Sequence, residues 1–311
     1  MSAEALLFYS AVDDALAWQR GLDALLPGIE VRIAPEIGDP DEIGYAVVWK
    51  PPVGFFRPLR QLRLVTILGA GIDSMRNRTD LPDVPVARLS DPAMARMMAG
   101  YVLFAVLRYA REIPEFERAQ KREIWDYHDP RDPASVRVGV LGLGELGGLA
   151  ATELARFGFS VVGWSRSPRS IEGVECLAGT AALPEILARS EILVVLLPLT
   201  TETTGILGAQ EFALLPRGAK FINVARGPVV DEAAMIAALR TGQLGAATLD
   251  VFGTEPLPPG HPLWAMENVL ITPHLAAVAN PRTAAAEIAG NIRRLRAGLP
   301  PLHRVDLARG Y

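Results

Sequence analysis

The sequence predicts an α/β protein with two domains, each built on a parallel β-sheet. Short apolar runs alternate with helical segments along almost the whole chain, as they do where crossover helices join parallel strands. One of these runs, Arg137–Leu141, leads into a glycine-rich turn and then into a helical pattern over Glu145–Phe157. The 311 residues exceed the usual size of a single domain, so two domains are expected.

The apolar runs fall into two series. The first hundred residues contain four strand-like runs, Ala5–Tyr9, Tyr45–Trp49, Leu64–Leu68 and Val84–Ala87, with a helix predicted over Asp13–Leu25. After the glycine turn, strands are predicted over Ser160–Trp164, Ile192–Leu197, Ala219–Val224, Ala246–Leu249 and Val269–Ile271. Asp91-Pro92 and Asn280-Pro281 each place a capping residue before a proline, so long helices should begin there and run to about Arg111 and Ala297.

The last helix lies beyond the second series and is free to return to the first domain. We therefore predict a discontinuous lid domain, residues 1–98 with 279–311, and a dinucleotide-binding domain, residues 99–278. Two connections between the domains would act as a hinge over a cleft, which is a common place for a ligand site.

Composition excludes several classes of protein. A net charge of −4 without long runs of either sign disfavours nucleic acid as a partner. The single cysteine, Cys176, rules out an internal disulfide, and the scattered histidines offer no metal site. The N-terminus does not resemble a signal peptide, and the longest apolar run, Met97 to Leu107, is too short for a membrane helix. A cytoplasmic protein without a membrane partner is expected.

The glycine turn predicts a dinucleotide site. Gly142 permits the tight turn, Gly144 lets the backbone approach a pyrophosphate, and Gly147 lets the helix pack on the strand. Glu145 and Leu146 open the helix whose N-terminus would face the phosphates, so both are expected beside the cofactor. The alternative is a glycine-rich turn that binds nothing.

The end of the second strand after the turn indicates which cofactor is preferred. NAD sites usually carry an acidic residue there, whereas this chain reads Ser165-Arg166-Ser167. A hydroxyl and a guanidinium suit a ribose phosphate, since arginine donates paired hydrogen bonds to it. We predict NADP(H) as the preferred cofactor and NAD(H) as a secondary one. The alternative is a solvated basic loop.

Three residues after predicted strands supply the chemistry for reducing a keto acid. Arg226 can pair with a substrate carboxylate and polarise the adjacent carbonyl. His274 can protonate the oxygen, and Glu255 can orient its ring and favour the protonated form. Asp250, at the same edge, either contacts the nicotinamide or caps the following turn. Pro198, Val224 and Ala225 complete the residues expected beside the cofactor.

Four stretches together resemble the D-isomer-specific 2-hydroxyacid dehydrogenases. They are the turn 141–147, Phe221-Ile-Asn-Val-Ala-Arg-Gly227, Leu249-Asp-Val-Phe-Gly-Thr-Glu-Pro256 and Thr272-Pro-His274. Within that family the chain is most similar to the bacterial NADPH-dependent glyoxylate/hydroxypyruvate reductases, with support from the stretches 47–52, 68–73 and 163–167.

The resemblance implies a homodimer of two Rossmann- or flavodoxin-like domains with the active site in the cleft between them. It implies that Arg226 binds and polarises the substrate and that His274 is the acid/base, with Glu255 as its partner. It also implies substrate contacts from the backbone at Ala70 and Gly71 and from the loop carrying Trp49 and Lys50. Many family members have an Ala-Glu-His-like stretch where this chain reads Met98-Ala-Gly100-Tyr101, so no polar role is transferred to that position.

The function implied is reduction of small 2-keto acids with NADPH, glyoxylate to glycolate and hydroxypyruvate to D-glycerate. A reductase for bulkier acids such as phenylpyruvate is an alternative, because Trp49 and Phe55 could line a larger pocket. A nucleotide-sensing binding protein that has kept the fold is another.

Overall fold

Two parallel sheets organise the chain, one in each of two units. The computed structural model describes residues 4–76 and 78–307. Contacts within the chain divide it into unit 1, Met1–Met94 with Val278–Tyr311, and unit 2, Ala95–Ala277. Within the described residues, no helix combines the length and the apolar character needed to cross a membrane.

The sheet of unit 1 has five parallel strands. They are β1 (Glu4–Tyr9), β2 (Ile29–Ile33), β3 (Ile43–Val48), β4 (Leu64–Ile67) and β5 (Val86–Arg88). The spatial order is β2-β1-β3-β4-β5. Val48 of β3 pairs with Ile67 of β4, so these two strands end side by side.

The sheet of unit 2 has seven parallel strands in the order β12-β11-β10-β9-β6-β7-β8. They are β6 (Arg137–Leu141), β7 (Ser160–Ser165), β8 (Glu175–Ala178), β9 (Ile192–Val195), β10 (Ala219–Asn223), β11 (Leu244–Leu249) and β12 (Val269–Ile271). The chain runs outward from β6 in one direction and then from β9 in the other. The strand order therefore reverses between β6 and β9, and ligands of open α/β sheets bind at such a point.

In the described part of the chain, eight α-helices connect and cover the strands. They are α1 (Ala15–Asp23), α2 (Pro92–Ala110), α3 (Ile113–Lys121), α4 (Glu145–Phe157), α5 (Leu183–Arg189), α6 (Ala209–Leu214), α7 (Glu232–Thr241) and α8 (Pro281–Arg296). In unit 1, α8 packs against α1 so closely that a Cβ on Gly21 would lie 3.3 Å from the Pro281 carbonyl oxygen. The final helix thus joins the first domain.

Both faces of the unit 2 sheet are buried. Along β9, Ile192 and Val194 pack with α2 and α4, while Leu193 and Val195 pack with α5, α6 and α7. This alternation follows from the two-residue period of a strand, and it explains why the run is apolar throughout. The fold class predicted from the sequence, two parallel-sheet α/β domains, is confirmed.

The predicted elements match the structure closely where strands are buried on both faces. β6, α4 and β12 have the predicted bounds, and most other predicted strands and helices differ by one or two residues at their ends. The predicted Val84–Ala87 run is displaced, because Pro85 has no N–H to donate and the strand begins at Val86. Two edge strands, β2 and β8, were not predicted.

A buried ion pair fixes the loop that follows β3. The Arg78 and Asp80 side chains are only 8% and 3% exposed, and Arg78 Nη2 lies 2.7 Å from Asp80 Oδ2. Arg78 also donates to the carbonyls of Pro51 and Pro52, while Asp80 accepts the Gly54 N–H at 2.8 Å. Hydrogen bonding from Arg78 lowers the pKa of Asp80 below its ordinary 3.8. The folded state therefore favours the ionised form of Asp80 over the protonated form.

We expect Asp80→Asn to destabilise the protein by about 3–5 kcal/mol, because it leaves the Arg78 charge buried without its partner. The pKa of Asp80 is lower in the folded chain, so the stabilisation is complete above pH 3.8 and is lost as pH falls through the folded value. Urea unfolding at pH 7 measures the effect. Exposed Asp83→Asn is the matched control, and equal stability of the two variants would contradict the assignment.

Candidate active site

The candidate residues of unit 2 follow strands that end at one level of the sheet. Leu141 pairs with Val195, Val195 with Asn223, Asn223 with Leu249, and Leu249 with Ile271. Neighbouring strands lie about 4.8 Å apart, so the loops that leave these residues begin in one row. The glycine turn, Arg226, Glu255 and His274 all belong to these loops. The candidate residues therefore lie in loops at the same end of the sheet, where ligands of open α/β sheets bind.

Arg226 lies in a turn that its own strand holds. The side chain of Asn223, almost fully buried, accepts the Ala225 N–H at 3.1 Å and donates to the Arg226 carbonyl at 3.3 Å. The next residue, Gly227, approaches the neighbouring loop so closely that a Cβ there would lie 2.0 Å from the carbonyl carbon of Phe252. The turn that presents the half-buried Arg226 is thus packed directly on the loop that leads to Glu255.

Glu255 and His274 form the pair that the sequence predicts. His274 Nδ1 lies 2.8 Å from Glu255 Oε2, and the two side chains are 22% and 19% exposed. The other carboxylate oxygen accepts the Phe252 N–H at 3.1 Å. An ionised carboxylate only accepts, so Nδ1 carries the hydrogen of this bond. Nε2 is therefore the ring atom that can exchange a proton with a substrate.

The Asp250 side chain accepts hydrogen bonds from other residues of the chain. It is 1% exposed, and its carboxylate accepts hydrogen bonds from Thr272 Oγ1 and from the N–H groups of Leu275 and Ala276. These partners lie in the turn around His274, 22 to 26 residues further along the chain, and so differ from the turn directly after Asp250 that the sequence offered as one of two roles. A contact with the nicotinamide stays a prediction.

The glycine turn fits a dinucleotide. Gly142 has φ 103°, in the left-handed region, and a Cβ on Gly147 would lie 1.8 Å from the Gly142 carbonyl oxygen. A Cβ on Gly144, in contrast, would meet nothing within 4 Å. Gly147 is therefore needed for packing α4 on β6, whereas Gly144 keeps space open above the turn. That open space lies at the N-terminus of α4, where phosphate groups bind favourably.

The residues expected to meet the ribose follow β7, the neighbour of β6. Ser165 is buried and its hydroxyl donates to the Ser167 carbonyl at 2.8 Å, which shapes the loop. The Arg166 side chain is 62% exposed, and its Nη1 lies 3.7 Å from Glu202. An exposed guanidinium beside a shaped loop fits a phosphate on the ribose. Pro198, Val224 and Ala225 lie at the ends of β9 and β10, in the same row of loops.

The candidate substrate residues of unit 1 also come together. Trp49 and Lys50 follow β3, and Ala70 and Gly71 follow β4. The Trp49 ring packs across Gly69 so closely that a Cβ on Gly69 would lie 2.6 Å from it, and Lys50 Nζ lies 5.6 Å from the ring centre. Their contact with substrate stays a prediction.

Two residues near the site were not predicted from the sequence. Tyr101 Oη of α2 lies 2.6 Å from Thr272 Oγ1, and the Thr272 hydroxyl donates to Asp250. No polar role is transferred to Gly100, and the polar contact comes instead from the next residue, Tyr101, which the local sequence pattern does not single out. Among the described residues, no group of three His, Cys, Asp or Glu side chains is arranged to hold a metal ion.

Comparison with known proteins shows the family of the chain. Residues 103–276 match the family model described as D-isomer specific 2-hydroxyacid dehydrogenase, NAD binding domain. A glyoxylate/hydroxypyruvate reductase A from Serratia proteamaculans is 43% identical over 312 residues, covering 98% of this chain and 99% of that protein.

Solved structures are also similar over the whole chain. A D-isomer specific 2-hydroxyacid dehydrogenase from Xanthobacter autotrophicus Py2, in complex with NADPH and MES, is 62% identical with a TM-score of 0.95 and covers 100% of both chains. An NADPH-dependent glyoxylate/hydroxypyruvate reductase from Sinorhizobium meliloti, in complex with NADP and sulfate, is 38% identical with a TM-score of 0.94, covering 99% of this chain and 100% of that one. The chain therefore belongs to the family of D-isomer specific 2-hydroxyacid dehydrogenases.

Proposed function

We propose that the protein reduces small 2-keto acids with NADPH, converting glyoxylate to glycolate and hydroxypyruvate to D-glycerate. The observation that carries the proposal is the 2.8 Å His274–Glu255 pair in the same row of loops as Arg226 and the glycine turn. The reductases from Serratia proteamaculans and Sinorhizobium meliloti support the substrate class.

In this proposal each residue has one task. When bound, NADPH supplies the hydride that reduces the keto carbon. Arg226 pairs with the substrate carboxylate and stabilises the negative charge that develops on the keto oxygen. His274 donates its proton from Nε2 to that oxygen, because Nδ1 is bonded to Glu255. Glu255 keeps the ring in this orientation and tautomer.

The substrate class is tested by measuring NADPH consumption with a panel of 2-keto acids. We expect kcat/KM to be highest for glyoxylate and hydroxypyruvate and lower for phenylpyruvate. A preference for phenylpyruvate would favour the reductase for bulky acids. Absence of turnover with every acid, together with tight NADPH binding, would favour a nucleotide sensor.

The cofactor preference is assigned to Arg166. Because hydrogen bonds to charged groups contribute about 1.5–3 kcal/mol, Arg166→Ala should weaken NADPH binding by roughly 10- to 100-fold and leave NADH binding unchanged. Fluorescence titration with each cofactor measures this. Arg169→Ala, in the same exposed loop, is the matched control. An NADPH preference that survives in Arg166→Ala would remove this residue from the proposal.

We also propose a cytoplasmic homodimer. Trp125 is 95% exposed, and Phe104, Ile124 and Tyr127 are also exposed. Aromatic residues of this kind are enriched at protein interfaces. The lone Cys176 suits a reducing compartment. Light scattering should give a mass of two chains, and a monomer at micromolar concentration would contradict the proposal.

A further inference from the structure

The backbone at His274 adopts a conformation that few residues adopt. Its φ of 56° lies in the left-handed region, and this costs a non-glycine residue of order 1 kcal/mol or more. The His274 N–H donates to the Thr272 carbonyl at 3.1 Å, which makes the turn tight. Since the direction of the ring depends on this backbone, neighbouring groups must hold the turn.

Asp250 holds the turn on both sides of His274. One carboxylate oxygen accepts the Thr272 hydroxyl at 2.6 Å and the Leu275 N–H at 2.9 Å, and the other accepts the Ala276 N–H at 2.9 Å. Hydrogen bonds to a buried charged acceptor are stronger than neutral ones. The carboxylate therefore favours the strained backbone over a relaxed one.

Tyr101 extends this support into α2. The Thr272 hydroxyl uses its hydrogen for Asp250, so the 2.6 Å bond between Tyr101 Oη and Thr272 Oγ1 requires Tyr101 to donate. Burial, and then the nearby Asp250 charge, raises the pKa of Tyr101 above 10, so its hydroxyl remains a donor at neutral pH. Tyr101 thus donates to Thr272, and Thr272 donates to Asp250.

We propose that Tyr101 and Thr272 are positioning residues, which act through Asp250 to keep the His274 ring in hydrogen-bonding reach of Glu255. The inference rests on the proposed function for its kinetic consequence but not for its structural one. Tyr101 of α2 would thus help to orient His274, which lies 173 positions further along the chain. A small rotation of the turn would lengthen the 2.8 Å Nδ1–Glu255 bond and misdirect Nε2.

The same helix supplies a matched control. Tyr109, eight residues further along α2, makes the same kind of bond, with its hydroxyl 2.7 Å from Thr248 Oγ1 within β11. It is buried, and Thr248 precedes the loop that carries Glu255. Loss of this hydroxyl removes a buried tyrosine–threonine bond without touching the turn at His274. The two phenylalanine variants therefore separate positioning from stability.

The first readout is the Nδ1–H proton of His274 in the NMR spectrum of the protein without cofactor, assigned by its absence from His274→Ala. We expect Tyr101→Phe and Thr272→Val to shift or broaden this signal, Thr272→Ser to restore it, and Tyr109→Phe to leave it unchanged. Thermal unfolding should show comparable destabilisation for Tyr101→Phe and Tyr109→Phe. A wild-type His274 signal in Tyr101→Phe would overturn the inference.

The second readout is turnover of glyoxylate with saturating NADPH. Tyr101→Phe should lower kcat roughly tenfold while KM and the NADPH Kd change by less than about twofold, since only orientation is lost. Unchanged kcat in this variant would overturn the inference where the wild type is active. If the wild type reduces no keto acid, the proposed function fails, and the NMR signal still decides the positioning role.

Discussion

Replacing His274 with alanine should lower kcat for glyoxylate reduction by roughly 10²- to 10⁴-fold, the usual contribution of a positioned general acid. The NADPH Kd should stay within about twofold of wild type, because the imidazole is assigned to the substrate oxygen and not to the cofactor. Steady-state kinetics and fluorescence titration of the same preparations measure the two quantities. Turnover within threefold of wild type would refute the role of His274.

His261 provides the control for this variant. It is another half-buried histidine of unit 2 with a carboxylate partner, since Nε2 lies 3.0 Å from Glu232 Oε1. His261→Ala removes an equivalent histidine–carboxylate bond that involves neither Glu255 nor His274, so kcat should not change. A comparable loss of kcat in both variants would mean that His274 acts through stability alone.

Proton donation by His274 also sets the sign of the pH dependence. Reduction requires a proton on Nε2, so kcat for glyoxylate reduction should fall with rising pH. Oxidation of glycolate requires the neutral ring, so its rate should rise over the same range. Rates measured in both directions test this, and parallel profiles would contradict the assignment.

Two glycines of the same turn, Gly144 and Gly147, should respond differently to replacement by alanine. Gly147→Ala should destabilise the protein without cofactor by about 1–3 kcal/mol or more, because its Cβ would overlap the Gly142 carbonyl oxygen. Gly144→Ala should leave this stability within about 0.5 kcal/mol, because no atom lies within 4 Å of the added Cβ. The same Cβ would occupy the space assigned to the pyrophosphate, so NADPH binding should weaken roughly tenfold.

Thermal unfolding without cofactor and NADPH titration together measure these effects. Each variant serves as the control for the other, because they differ only in which side of the turn receives a methyl group. Wild-type NADPH affinity in Gly144→Ala would place the dinucleotide elsewhere. Equal loss of stability in both variants would show that Gly144 is a packing residue as well.

The sequence was sufficient for elements whose apolar runs are buried on both faces. β6 and β9 are easy to predict because their apolar side chains pack against helices on both faces of the sheet, and the loops after such strands carry the candidate catalytic residues. β2 was missed because Glu30 and Arg32 interrupt its apolar pattern on an exposed edge of the sheet.

The support around the catalytic turn could not be predicted from the sequence. Tyr101 and Thr272 are 171 positions apart, and nothing in either local pattern shows that α2 crosses the end of β12. For Asp250 the sequence left two roles open, contact with the nicotinamide and capping of the following turn. The partners of a carboxylate at the end of a strand depend on the neighbouring loop, which the sequence does not place. These contacts follow from sheet register and helix placement, which only the folded chain shows.

Both oxygens of the Glu255 carboxylate accept hydrogen bonds, and this sets what a replacement side chain must supply. One oxygen accepts from the Phe252 main chain and the other from the imidazole, so the site needs two acceptors and no donor. A carboxamide of the same shape has only one acceptor oxygen, so it can accept from only one of these two N–H groups, or it must donate its NH₂ to an Nδ1 that carries no hydrogen. Glutamine, although isosteric, would therefore lose one of the two bonds or shift the ring hydrogen of His274 from Nδ1 to Nε2.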